Sequence, residues 1–71
     1  LTINQIALLN RWIQENRLVT VHIHLRYEPI IGRILSFEAE RNTCLIYDDD
    51  LKEVHHLSLK EITSIQGFKE K

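Results

Sequence analysis

One change of hydrophobic period constrains this chain most: apolar residues fall at helical spacing up to residue 17, alternate with polar ones from Val19 onward, and never return to the first pattern. Ile6, Leu9 and Ile13 recur at steps of three and four, and Leu8 and Trp12 widen the stripe. Asn4, Asn10, Arg11, Gln14 and Glu15 fill the opposite face, so the segment reads as one amphipathic helix over about residues 2–16. Thr2-Ile3-Asn4-Gln5 forms a capping box at its start, with Leu1 and Ile6 as a hydrophobic staple. Asn16 suits a left-handed terminator, and Arg17 complements the negative end of the helix dipole.

From Val19 to Leu25 the alternation is strict and its apolar positions are rich in β-branched residues, which predicts a half-buried strand over about 19–26. Arg26-Tyr27-Glu28-Pro29 reads as a turn, because Pro29 cannot donate inside a central strand. Further strands are expected over about 30–38, 43–48, 53–58 and 62–66. Gly32 marks a bulge or bend, Asn42 takes the strained position of the next turn, and Ser58-Leu59-Lys60-Glu61 is a short link of one helical turn. Five short strands in meander order, on a chain too small for two sheets, suggest a strongly bent antiparallel sheet closing into a small SH3-like barrel. The fold class is therefore mainly β with one N-terminal α-helix, a single domain over 1–71, with the helix over one end of the barrel.

A chain of 71 residues hides only about 60% of the surface its unfolded form exposes, so each large apolar side chain matters. Apolar content of 44% and charged content of 27% exclude disorder. The net charge of −1, with nine scattered Lys and Arg, argues against a duplex-DNA binder that neutralises many phosphates. Cys44 is alone, which rules out an internal disulfide and a Cys-based zinc site and points to the reducing cytoplasm. No apolar run reaches membrane-span length. The start at Leu1 without Met suggests a preceding segment.

Candidate chemistry is sparse. His22 and His24 share a strand face while His55 and His56 face opposite ways; a metal site would need the strands to bring them together, and exposed or interface positions are the plainer reading. Asp48-Asp49-Asp50 lacks the spaced ligands of a calcium loop and reads as a solvated turn. Cys44 reads as a buried thiol, and no Ser or His has a nucleophile setting, so neither catalysis nor a cofactor is expected. Trp12 is either core or a partner anchor. Arg26, Tyr27 and Arg33 make a modest contact patch.

The order helix, long glycine-bearing second strand, short third strand, fourth strand, tight turn and short fifth strand resembles the Sm-like fold. Gly32 through Asn42 is similar to the first Sm signature, in which a glycine precedes an asparagine by ten positions. Leu1-Thr2, Val19-Thr20-Val21, Gly32-Arg33-Ile34 and the closing run from Leu59 to Ile65 resemble the C-terminal half of the YolD-like family of small bacterial proteins. That resemblance implies an accessory role beside translesion DNA polymerases and carries no catalytic residues. Sm-type base binding implies an aspartate and an asparagine after the second strand and an Arg-Gly pair after the fourth. The matching positions here are Ala39, Asn42, Ser58 and Leu59, so Asn42 alone is kept. The tyrosine-lysine-histidine pore motif of the Hfq branch is not reproduced. The expectation is a non-catalytic, cytoplasmic bacterial module working by protein contact through some of Trp12, Arg26, Tyr27, Arg33 and Asn42. The alternative is a ring-forming RNA-binding protein in which the fourth strand of one subunit pairs with the fifth of the next, and a third is a generic SH3-like module of a larger protein.

Overall fold

The structure, a computed structural model, describes residues 3–68. Helix α1 runs Ile3–Gln14 and so stops short of residue 16, where periodicity placed its end. Asn16 sits at φ 53° and donates to the Ile13 carbonyl at 3.1 Å, while the Arg17 N–H reaches the Trp12 carbonyl at 3.0 Å. These two bonds are a Schellman cap, and they end the helix where the sequence offers an asparagine. The Thr2 capping box and the Leu1 staple lie outside the described residues.

Five antiparallel strands follow: β1 (Leu18–Ile23), β2 (Ile30–Glu38), β3 (Thr43–Asp48), β4 (Glu53–Ser58) and β5 (Ile62–Gly67). β1 ends at Ile23 rather than near residue 26. Its register against β5 shifts between His22 and Ile23, Arg26 closes a turn onto the Ile23 carbonyl, and Leu25 takes φ 64°. The bulge expected at Gly32 lies instead between Ile34 and Ser36, where β2 shifts register on β3. Gly32 matters for another reason. A Cβ there would collide with the Tyr47 carbonyl, so its bare backbone lets β2 and β3 approach.

The strand order is β4-β3-β2-β1-β5. Consecutive strands β4 and β5 therefore lie on opposite edges, joined by the three-residue 3-10 turn Leu59–Glu61. Four inter-strand spacings span about 19 Å, whereas the chain from residue 58 to 62 reaches at most about 14 Å. The sheet must curl until its edges approach, which gives the strongly bent sheet. Inside the curl, Val19, Val21, Ile30, Ile34, Cys44 and Ile46 are buried together with Leu9 of α1. Trp12, Ile13, Phe37, Leu57, Ile62 and Ile65 pack around them. Strand alternation thus sends one set of side chains inward, and the helix covers that set on one side.

Candidate functional site

The helix and the β5 end of the sheet do not close fully on each other. Between them lies a cleft of about 340 Å³ whose lining includes Gln5, Leu8, Trp12, Asn42, Lys60 and Ile65. Trp12 is half-buried: it packs against the core and also lines the cleft. Asn42 sits at φ 59°, in the left-handed region it tolerates well, and its carbonyl accepts from the Leu59 N–H at 2.8 Å.

The neighbouring turn is tied up by its own caps. The Ser58 hydroxyl accepts from the Lys60 N–H at 3.3 Å, and the Ser58 N–H donates to the Glu61 carboxylate at 3.3 Å. This is a capping box spelled Ser-Leu-Lys-Glu, a signal present in the sequence that periodicity alone does not reveal. Leu59 packs against the core. At the four positions that resemble a base-reading set, the structure therefore shows an exposed alanine, a turn asparagine, a capping serine and a packed leucine.

The contact patch of Arg26, Tyr27 and Arg33 does not form as one surface. Tyr27 is fully exposed and Leu25 is 93% exposed, both in the β1–β2 turn with Arg26. Arg33 faces Leu18 at the other end of the β1–β2 ladder. There its Nη1 donates to the Asp49 carboxylate at 2.9 Å and its Nε to the Asn16 carbonyl at 3.3 Å. The length of the hairpin separates Arg33 from Arg26 and Tyr27.

The acidic turn is also more structured than a solvated loop. Asp48 is 3% exposed, and its Oδ1 accepts from the N–H groups of Asp50 and Leu51 at 3.0 Å each. The Asp48 Oδ2 lies 3.0 Å from Nε2 of His55, which is the inward-facing histidine of β4. The Leu51 bond holds the Asp48 carboxyl below its ordinary value, helped by His55 and Asp50 and opposed by burial. His22, His24 and His56 are exposed, and among the described residues no three of His, Cys, Asp and Glu gather around a common metal position. Cys44 is buried, and burial pushes its thiol up to about 11.

The sheet edges are the remaining feature. Among the described residues β4 pairs with β3 alone and β5 with β1 alone, so each presents an unpaired backbone side. Val54 on β4 is 55% exposed.

Compared with solved structures, this arrangement is similar to an Hfq protein from Anabaena sp., with a TM-score of 0.78 over 94% of this chain and all of that one. The fold is Sm-like. At 18% identity the likeness speaks for the fold and not for a shared ligand. No family model matches the sequence, and no curated protein matches it. No helix among the described residues is long and apolar enough to cross a membrane.

Proposed function

We propose that this chain is a non-catalytic Sm-like module that assembles through its open sheet edges and works by protein contact, in the manner of the YolD-like family, in the bacterial cytoplasm. The observation that carries this reading is the turn after β4. Where a base-reading Sm protein needs a cation and a carboxylate, this chain spends Ser58 and Glu61 on capping each other, packs Leu59 inward and leaves Ala39 with nothing to offer a base edge. The balanced charge supports the same reading, because affinity for a phosphate backbone scales with the cations available to it. A translesion DNA polymerase is the partner that the YolD-like resemblance suggests. Co-precipitation of the full-length native protein with that polymerase from its host tests the reading: a stoichiometric complex supports it, and a clean absence of the polymerase removes the damage-tolerance half.

One observation favours a second reading, a ring-forming RNA binder. Gln5, Asn42 and Lys60 line one cleft with Trp12, which puts amides, a cation and an aromatic ring within a common space. Titration of labelled oligo-U and oligo-A at low salt decides it. Saturation at micromolar protein would promote this reading, and a flat response would remove it.

A further inference from the structure

We propose that the opening between the end of α1, the start of β1 and the end of β5 is a phosphate-binding site built from Arg17 and Arg33. The opening is lined by Asn16, Arg17, Leu18, Arg33 and Phe68, so among the described residues two guanidinium groups and no carboxylate line it, with Arg33 paired to the Asp49 carboxylate beside it. This inference is independent of the protein-contact reading above.

Three features hold the cations in place. The Arg17 backbone is fixed by the Schellman cap, its N–H bonded to the Trp12 carbonyl at 3.0 Å. Its guanidinium lies against the backbone of Gly67: a Cβ built there would lie 3.0 Å from Nε, 3.4 Å from Nη2 and 3.6 Å from Cζ, so the planar group meets Gly67 by its Nε–Nη2 edge. Arg33 forms the other wall, held by Asp49 and by the Asn16 carbonyl.

The electrostatics favour an anion. Arg11, Arg33 and Arg41 each have a carboxylate partner, whereas Arg17 has none among the described residues. The end of a helix normally repels anions through its free carbonyls. Here the Trp12 and Ile13 carbonyls accept within the cap and the Asn16 carbonyl accepts from Arg33, so the negative end is largely covered. A guanidinium presents paired donors that match two oxygens of a phosphate, and two such groups around one opening suit a phosphate better than a carboxylate. The shared chemistry is a phosphate group, supplied either free or on a nucleoside monophosphate.

Arginine side-chain Nε–H signals in NMR give the test, with inorganic phosphate and adenosine monophosphate titrated separately at constant ionic strength against chloride. Saturable shifts at both Arg17 and Arg33 with phosphate, absent with chloride, are expected. Stronger binding of the monophosphate would assign the source to nucleotides, and equal binding to the free ion. Arg17→Gln should weaken binding at least tenfold with an unchanged amide spectrum elsewhere. Gly67→Ala should weaken it severalfold, because Gly67 has no positive φ to lose and its new methyl meets Arg17 Nε. Shifts that follow chloride equally, or that survive Arg17→Gln, overturn the proposal.

Discussion

Removing the Asp48 carboxylate should expose how much of this small domain rests on the β3–β4 turn. Asp48→Ala leaves three donors without their acceptor: the N–H groups of Asp50 and Leu51 and the imidazole of His55, each now 3.0 Å from a carboxylate oxygen. A donor stripped of its partner costs about 1–3 kcal/mol when buried. Asp50 and Leu51 are exposed enough for water to replace part of the loss, so about 1 kcal/mol per donor is the better figure, about 3 kcal/mol in all. A chain of this length has roughly 4–10 kcal/mol of total stability, so the loss is a large share. Asp48→Asn keeps an oxygen for the two backbone donors and loses the charge, for about 1.5 kcal/mol. At about 4–8 °C per kcal/mol for a domain of this size, calorimetry should find Tm lowered by about 12–24 °C and about 6–12 °C respectively.

The pH dependence follows from the direction of the shift. The folded carboxyl ionises below its ordinary value, so its stabilisation is complete above the unfolded value near pH 4 and disappears as pH falls through the folded one. The gap between wild type and Asp48→Asn should therefore be largest at pH 7 and shrink towards pH 2. Refutation would be an Asp48→Ala variant melting within 3 °C of wild type, or an Asn variant whose deficit stays constant across that range.

Other perturbations probe the remaining devices. Gly32→Ala should cost about 3 kcal/mol or more in urea unfolding, because its methyl would meet the Tyr47 carbonyl and part β2 from β3; a loss below 1 kcal/mol would contradict the close approach. Leu25→Asn should raise stability by about 0.5–1 kcal/mol by relieving the positive φ of an exposed leucine, read as a higher urea midpoint. Alkylation of Cys44 at pH 8 should run roughly 100-fold slower in the native protein than in denaturant, because burial both covers the thiol and raises its pKa.

Much of the fold is readable in the sequence because each cue is local. The helical stripe, the alternation after Val19, Asn16 as a left-handed terminator and Asn42 as a turn residue all depend on near neighbours. What escapes depends on which strands lie side by side. The close approach at Gly32 needs Tyr47 of β3, and the buried role of Asp48 needs His55 seven residues on. Arg33 reads as part of a patch with Tyr27, yet its register partner Leu18 and its bonds to Asn16 and Asp49 draw it to the far end of the hairpin. The Ser58 capping box is a local cue as well, hidden when a four-residue link is read as mere connection.

If β4 and β5 are edges made for another copy, the protein must assemble. Light scattering on the eluting protein measures this directly, against a chain mass of 8.4 kDa. The expected result is a closed assembly of several subunits at micromolar concentration, reduced to single chains by Val54→Lys on the exposed β4 edge without loss of the fold. A wild-type mass of one chain across that concentration range would contradict it.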